Sequence, residues 1–507
     1  MKFQALNLTA IVINEDTLAA ARRAKRNLWH ECIEDTSMVL LSPEILSSQP
    51  FDRLLQHKTF SSRLCALGID EVHLVQDWGD PSFRDAFRHI ALVHARMPRD
   101  TVLIGLTATL LAGQETTELL QTLGLTPGTF FFQRRSNIRH DICDIYRVLR
   151  HGLSAWSFPD LDWVIEGNRK TLIYSGSFNL GFRVHTYFRH KAPQKIIRLY
   201  NSLSFATYNL STRHLFINDP NVQIIIATDS LVVGMDFPNV EDVIDLDCHH
   251  PNHGKQRKGR AGRPGGNVRS PRGITYVTKA TMDKAHKMVE KHPSHDSGKW
   301  VEQGLHIGQA RLLVAPCYPA CENILYDNPT VDPPCGCETC KEEAQSIPPS
   351  TGSDSNSCNC SGCKPEVPLP PLPRATLNSL PAIPVESRLT EKMIRRGTLE
   401  LQGFRQQLWN EKSDEIGHLP PLAFLPDSHI KNILDNFARI QSLQDLPPYI
   451  SDLHLLSGLH SRLLAIITEL RLIFSSLPRQ ERRKVVRKPA AVLPSLQTVD
   501  SEDNLDK

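Results

Sequence analysis

The chain has 507 residues, 40% of them hydrophobic, and a formal net charge of only +3. This length accommodates about three domains of ordinary size, and the near-neutral charge excludes a uniformly basic nucleic-acid-binding protein, so nucleic acid would bind at local patches such as residues 255–263 and 479–488. No apolar run is as long as a membrane span and residues 1–10 lack a signal-peptide layout, so we expect an intracellular protein.

The first 130 residues begin with an apolar strand at residues 6–14 and carry two further strands that end in polar residues. Residues 64–69 lead into Asp70-Glu71-Val72-His73, and residues 102–106 lead into Thr107-Ala108-Thr109. Because parallel strands deliver the residues at their carboxyl ends to one sheet edge, an Asp-Glu pair there can hold a nucleotide's magnesium and activate water. An isolated pair is more often a solvated strand end or a helix N-cap.

A linker at residues 131–137 precedes a second region, residues 138–295, in which strands alternate with helical stretches. That alternation predicts a parallel sheet flanked by helices. The predicted strands are residues 171–175, 222–227, 242–247 and 273–277.

Three polar segments follow in the second region: Ala-Thr-Asp at 227–229, Gly-Met-Asp at 234–236, and a glycine-rich stretch at 256–266. The last places Arg260 and Arg263 three residues apart, so that both guanidinium groups can reach one polyanion. Arginine also stabilises charge on a transferring phosphoryl group. A basic glycine-rich stretch alone is more often a flexible nucleic-acid arm, but five ordered motifs favour a nucleotide-driven motor.

Eight of the twelve cysteines lie between residues 317 and 363. Two boxes, at 335–340 and 358–363, repeat the spacing Cys-x-Cys-x-x-Cys, with Cys317 and Cys321 upstream. In a reducing compartment this spacing favours thiolate binding of zinc over disulfides. Zinc is favoured over a disordered cysteine-rich tail for the first box, whereas the second box leaves the two interpretations balanced. The other cysteines are interpreted as ordinary thiols: Cys32, Cys65, Cys143 and Cys248.

The last third of the chain begins with a linker rich in Pro and Ser, residues 346–390, which carries the second cysteine box. Residues 391–476 have a helical pattern and predict a small domain for protein or DNA contacts. Apolar residues mark one face of its last helix: Leu456, Leu459, Leu463, Ile466, Ile467, Leu470 and Phe474. Residues 477–507 form a basic-then-acidic disordered tail, whose basic run at 482–488 is interpreted equally as a nuclear-localisation signal or as a solvated segment.

The ordered motifs resemble those of superfamily 2 helicases, and within them the RecQ-like DNA helicases. Gln76-Asp77-Trp78-Gly79, with the following Phe83 and Arg84, resembles the aromatic-rich loop that couples DNA contact to ATP hydrolysis in that family. Leu-Ser-Pro-Glu at 41–44 is similar to a segment that touches single-stranded DNA, and the segments at 227–229, 234–238 and 256–265 resemble the last two motor motifs. The resemblance extends from residue 8 to residue 340, and its ordered motifs are specific.

The resemblance implies an α/β fold with two RecA-like lobes, the first incomplete at 1–130 and the second at 138–295. A helical, cysteine-rich zinc module at 300–345 and an α-helical C-terminal region would follow. It assigns catalysis to Asp70, Glu71, His73, Arg260 and Arg263. It assigns ATP contact and coupling of the lobes to Thr107, Thr109, Gly234, Asp236 and Gln256. It assigns DNA contact to Ser42, Trp78, Phe83, Arg84 and Thr228, and zinc binding to Cys321, Cys335, Cys337 and Cys340, with Cys317 as a possible substitute.

The implied activity is ATP-dependent DNA unwinding in the 3′ to 5′ direction, with ATP, Mg²⁺ and Zn²⁺ as cofactors. The implied partners are single-stranded and duplex DNA, with no membrane. The implied setting is the nucleus, in DNA repair and recombination or in the upkeep of mobile elements.

The chain departs from the family pattern in the motifs that bind the nucleotide. No glycine-rich turn ending in Gly-Lys-Ser or Gly-Lys-Thr occurs, since Gly254-Lys255 precedes Gln256 and Gly298-Lys299 precedes Trp300. Arg257 and Pro264 also stand where the family commonly has acidic residues. We therefore expect an N-terminally truncated first lobe that exposes apolar surface, and impaired hydrolysis. The alternative is a non-hydrolysing, nucleic-acid-binding remnant of a helicase.

Overall fold

The computed structural model describes most of the chain, and the statements below concern those residues alone. They are 8–34, 36–77, 90–231, 237–263, 268, 270–293, 301–333, 358–366, 383–416, 420–450 and 453–476. The chain divides into two compact units, Met1–Ala375 and Thr376–Lys507. Within the described ranges, no helix has both the length and the apolar character needed to cross a membrane.

The strands all belong to the first unit. They are β1 (Ala10–Ile13), β2 (Met38–Leu41), β3 (Ala66–Ile69), β4 (Val102–Gly105), β5 (Cys143–Val148), β6 (Thr171–Ser175), β7 (Ile197–Tyr200), β8 (Ile224–Ala227), β9 (Asp242–Leu246), β10 (Arg272–Val277), β11 (Val301–Glu302) and β12 (Leu305–His306). We call the part from β1 to Thr122 the N-terminal region and the part from β5 to Lys291 the sheet region.

The α-helices of the first unit are α1 (Glu15–Arg23), α2 (Leu28–Glu34), α3 (Gln49–Gln56), α4 (Lys58–Ser61), α5 (Leu74–Asp77), α6 (Ile90–Ala95), α7 (Gln114–Thr122), α8 (Asp162–Glu166), α9 (Phe178–Lys191), α10 (Ala206–Asn218), α11 (Pro251–Lys258), α12 (Lys279–Lys291), α13 (Ile307–Val314) and α14 (Tyr318–Leu325). Those of the second unit are α15 (Glu391–Ile416), α16 (Asp427–Asp435), α17 (Pro447–Ile450) and α18 (His460–Ser476). Short 3₁₀ helices lie at Pro43–Ser47, Pro159–Leu161, Asp229–Leu231, Val385–Ser387, Pro421–Ala423, Phe437–Arg439, Leu443–Asp445 and His454–Leu456.

The sheet region is built on a six-stranded parallel sheet in the order β5-β10-β9-β6-β8-β7. Every residue of β6, β8 and β9 is buried, as expected of parallel strands covered on both faces. Val184 and Phe188 of α9 pack on one face, and Phe216 of α10 packs with Phe237 on the other. The predicted α/β fold with a parallel sheet is therefore confirmed, and the predicted strands are all present, with bounds shifted by one or two residues.

The N-terminal region contains two separate parallel pairs, β1 with β2 and β3 with β4. Its core lies under α2 and α3, where Cys32, Phe51 and Leu54 are buried. On β4 and just after it, however, Val102 and Leu106 are each 58% exposed. The expected exposure of apolar strand surface is thus present in this region.

The second unit is helical, as its sequence pattern predicts. Its last helix, α18, buries four of the residues that marked one apolar face: Leu463, Ile467, Leu470 and Phe474. Leu456 and Leu459 precede the helix, and Ile466 is only partly buried. The apolar pattern identified the packed face, while the start of the helix lies later than the pattern alone indicates.

Candidate functional site

A cleft of about 320 Å³ separates the ends of β3 and β4 from the turn that follows α11. Glu71 and Thr109 line it from the N-terminal region, and Gln256, Arg260 and Arg263 line it from the sheet region. The structure thus gathers five of the residues singled out in the sequence around one cavity. Parallel strands and a helix end supply these side chains, which is a common way of building a polar site.

Asp70 and Glu71 follow β3 directly, and the backbone turns sharply there. Glu71 has a φ of +49°, in the left-handed region that non-glycine residues seldom adopt, and its backbone N–H donates to Asp70 Oδ1 at 2.9 Å. Such a conformation costs on the order of 1 to 3 kcal/mol and is typical of functional sites. Asp70 itself is exposed, whereas the turn directs Glu71 into the cleft.

The pKa of Glu71 reflects its position between opposing influences. Burial raises the pKa, and the neighbouring Asp70 charge raises it further, whereas Arg260 and Arg263 lower it. The net shift is upward. A carboxylate with raised proton affinity, facing two arginines, has the properties of a general base beside an anionic substrate.

His73 connects the two regions through a buried hydrogen-bond chain. Its Nδ1 lies 2.7 Å from Thr107 Oγ1, and its Nε2 lies 2.7 Å from Nε2 of Gln256 on α11. The Gln256 amide also donates to Thr109 Oγ1 at 3.2 Å. Burial lowers the pKa of His73 to about 4, so the ring is neutral at pH 7; Nε2 then accepts a hydrogen bond from the Gln256 amide, and Nδ1–H donates to Thr107 Oγ1.

Arg260 and Arg263 lie in the turn after α11. Arg260 is buried and Arg263 half-buried, and Arg263 Nε donates to the Gly259 carbonyl at 3.4 Å. Gly262 between them has a φ of +61°, and a Cβ there would lie 2.7 Å from the Pro271 side chain. The glycine spacing noted in the sequence is therefore required for the tight turn that presents both guanidinium groups to the cleft.

Two basic residues of the predicted nucleic-acid patch at residues 255–263 are buried in ion pairs. Arg257 is 4% exposed and bridges Asp245 Oδ1 and Asp229 Oδ1, each at 2.6 Å. Lys258 is equally buried and its Nζ lies 2.8 Å from Asp144 Oδ1. Buried charges need such partners, so these two cations stabilise the sheet region and do not offer a surface to nucleic acid. The second proposed patch, residues 479–488, lies outside the described residues.

Glu115 of α7 forms a second contact between the regions that the sequence did not reveal. Its Oε1 lies 3.6 Å from Nε2 of both His250 and His306, and its Oε2 accepts from Asn252 Nδ2 at 3.2 Å. Burial opposes ionisation of Glu115, but the two histidines and the amide outweigh it and lower its pKa. Glu115 and Asn252 are separated by 137 positions, and no local pattern predicts such a pairing.

The remaining predicted site residues either lie away from the cleft or lie outside the described residues. Ser42 ends β2, where its N–H donates to the Ile13 carbonyl at 3.3 Å, and Thr228 follows β8; neither lines the cleft. Cys321 lies on α14 and packs with Leu325. Several predicted residues lie outside the described residues: Trp78, Phe83, Arg84, Gly234, Asp236, Cys335, Cys337 and Cys340.

Comparison with known proteins shows which proteins the chain is similar to. Residues 158–265 match the helicase conserved C-terminal domain. The chain is 25% identical over 280 residues to the ATP-dependent DNA helicase RecQ of Haemophilus influenzae, covering 52% of this chain and 42% of that protein. It is 23% identical over 329 residues to the ATP-dependent helicase SGS1 of Saccharomyces cerevisiae, covering 61% of this chain and 20% of that protein. The chain therefore spans less than half the length of these two curated relatives.

Among solved structures, the chain is similar to the Mycobacterium smegmatis helicase Lhr bound to ssDNA and AMP-PNP, with a TM-score of 0.39 and 18% identity. That match covers 56% of this chain and 37% of the Lhr chain. A second similar structure is Mss116p bound to ssRNA and AMP-PNP, with a TM-score of 0.40 and 14% identity, covering 57% of this chain and 56% of that one.

Proposed function

We propose that this chain, a RecQ-like member of the superfamily 2 helicases, has the architecture of an ATP-dependent motor that unwinds DNA in the 3′ to 5′ direction. The observation that carries the proposal is the cleft in which Glu71 faces Arg260 and Arg263. In this proposal residues 1–130 and 138–295 are the two motor lobes and residues 300–345 are the cysteine-rich module. DNA is the partner, with work in genome maintenance in the nucleus.

Each cleft residue has a distinct role in the proposed motor. Glu71 would be the proton acceptor of the cleft, because its raised pKa favours proton uptake. Arg260 and Arg263 would bind an anionic group that enters the cleft. The hydrogen bond between His73 and Gln256 joins the two regions, so it would couple a change in one region to the other.

The residues present fit only part of a nucleotide site. The cleft supplies a carboxylate and two arginines, but the 507 residues contain no phosphate-binding loop that ends in Gly-Lys-Ser or Gly-Lys-Thr. Backbone N–H groups of such a loop and its hydroxyl hold the phosphates and Mg²⁺ in related motors. The missing loop favours a second candidate function for this polypeptide, nucleic-acid binding without hydrolysis.

We expect the 507-residue polypeptide to hydrolyse ATP negligibly, with or without single-stranded DNA, because the phosphates lack their main anchor. Phosphate release should be the same for the wild-type chain and for Glu71→Gln. Glu15→Gln, at an exposed position on α1, is the matched control for loss of one carboxylate. DNA-stimulated turnover that Glu71→Gln abolishes and Glu15→Gln preserves would contradict this expectation.

The two candidate functions differ in how a nucleotide affects DNA binding. If the chain binds DNA without engaging a nucleotide, its affinity for a fluorescent single-stranded oligonucleotide should change by less than about twofold, or 0.4 kcal/mol, when AMP-PNP is added. Anisotropy titrations measure this affinity directly. Repeating them at two salt concentrations separates contacts to the DNA phosphates from other contacts. A larger shift with AMP-PNP that disappears in Arg260→Ala would instead favour the motor.

A further inference from the structure

Four cysteines from separate parts of the sequence lie together beside the sheet region. Cys317 immediately precedes α14, and Cys358, Cys360 and Cys363 belong to the second cysteine box. The four Sγ atoms all lie within 4.8 Å of one another, and those of Cys317 and Cys358 are 3.9 Å apart. All four thiols are free.

The spacing of these sulfur atoms fits a zinc ion better than a disulfide. Four thiolates at about 2.3 Å from a tetrahedral zinc ion are about 3.8 Å from one another. A disulfide would require about 2.05 Å between two sulfur atoms. Soft thiolate ligands also select zinc over magnesium or calcium. The donor set therefore matches a structural zinc site with four protein ligands.

The backbone around the second box is attached to the edge of the six-stranded sheet. Ser361 N–H donates to the carbonyl of Asp144 at 2.9 Å, and the N–H of Tyr146 donates to Ser361 Oγ at 3.0 Å. Asp144 and Tyr146 belong to β5, which is an edge strand. Residues 358–366, which we call the edge segment, therefore cover N–H and C=O groups that an open edge would leave unpaired.

Further contacts place the edge segment against Cys317. Glu366 forms a bidentate ion pair with Arg147 of β5, with both N···O distances 2.7 Å. A Cβ at Gly362 would lie 2.6 Å from the carbonyl oxygen of Pro316, the residue before Cys317. A side chain at this position would clash with the Pro316 carbonyl, so Gly362 lets the loop between Cys360 and Cys363 approach the junction between α13 and α14 at Cys317.

We infer that Cys317, Cys358, Cys360 and Cys363 bind one zinc ion that fastens the edge segment to the sheet. Within residues 358–366, Cys360 is the one buried hydrophobic residue, so apolar packing of these residues contributes little to holding the edge segment. A metal crosslink supplies the missing stabilisation, as in other small elements that lack a core. This ligand set differs from Cys321, Cys335, Cys337 and Cys340, which the RecQ resemblance implies, and it is independent of ATP hydrolysis.

Zinc content of the full chain tests this inference. We expect Cys358→Ser combined with Cys363→Ser to bind one zinc ion fewer per chain than wild type, by elemental mass spectrometry after gel filtration in Zn²⁺-free buffer. Cys335→Ser combined with Cys340→Ser, in the first box, should keep that ion. Cys65→Ser, at an exposed single cysteine, should leave the zinc content unchanged. Unchanged zinc content in the Cys358/Cys363 double variant would overturn the inference.

A second measurement uses only the wild-type chain and so does not depend on the folding of a variant. The purified protein is alkylated before and after zinc chelation, and modified peptides are identified by mass spectrometry. Cys317, Cys358, Cys360 and Cys363 should be protected as a set until the chelator is added, whereas Cys65 should react throughout. Reaction of Cys358 and Cys363 as fast as Cys65 before chelation, or a disulfide between Cys317 and Cys358, would overturn the inference.

Discussion

Replacing Arg257 with alanine is expected to lower the free energy of unfolding of the sheet region by about 3 to 5 kcal/mol. The Arg257 guanidinium is held between Asp245 and Asp229, and Asp245 is completely buried. Burial disfavours the charged form of Arg257, but the two carboxylates more than compensate and raise its pKa above the ordinary range. Without the guanidinium, the Asp245 carboxylate is buried without a compensating charge, and this is the source of the large loss.

Urea unfolding followed by circular dichroism measures this loss, with the transition of the sheet region fitted separately from that of the helical unit. Removing both partners in Arg257→Ala with Asp245→Ala should cost less than the sum of the two single variants, because no lone charge remains. Arg26→Ala, which removes an exposed pair with Glu31, should change stability little. A loss under about 1 kcal/mol for Arg257→Ala would contradict a central role for this ion pair.

Much of the sheet region could be predicted because its signals are local. Strands β6 and β8 are buried on both faces, and their sequences are apolar apart from the two ends of β6, so their positions follow from the sequence. The alternation with helices then dictates a parallel sheet. The start of α18 was harder to predict, because the buried Leu456 lies in a separate 3₁₀ helix, His454–Leu456, before α18 begins at His460.

The cleft could be predicted in part, because polar residues that follow strands and helices have recognisable chemistry. Residues after β3 and β4 face the turn after α11, as their order in the sequence implied. The burial of the basic residues on α11 could not be predicted, because it depends on acidic partners that are distant in the sequence. Lys258 is buried by Asp144 and Glu322, which precede and follow it in sequence by many residues. The same holds for Cys317, whose neighbours come from the second cysteine box.

Direct contacts join the N-terminal and sheet regions on both sides of the cleft. His73 bonds to Gln256, Glu115 contacts His250, and Asn252 Nδ2 donates to Glu115 Oε2 at 3.2 Å. The His73–Gln256 contact is a hydrogen bond to a neutral histidine, so protonation of that buried ring would weaken it.

The stability of the chain is expected to fall between about pH 7.5 and about pH 4.5 by about 2 to 3 kcal/mol on account of His73 alone. Burial is the main cause of its pKa of about 4, and the charges of His253 and His250 lower it further while Glu115 opposes them. The unfolded chain has the ordinary value of 6.5, so it binds the proton more readily than the folded chain. Stability is therefore fully present above pH 6.5 and is lost as the pH falls towards 4.

Urea unfolding at a series of pH values gives the free energy of unfolding as a function of pH. The contribution of His73 is the difference between the slopes of this curve for wild type and for His73→Gln. The variant is less stable at neutral pH, because the bonds to Thr107 and Gln256 are altered, but it lacks the titrating group and should lose less stability on acidification. His30→Gln, at an exposed position on α2, should keep the wild-type slope. Equal slopes for wild type and His73→Gln would mean that protonating this ring does not disrupt its bond to Gln256. The neutral form of His73 would then not be required for joining the two regions.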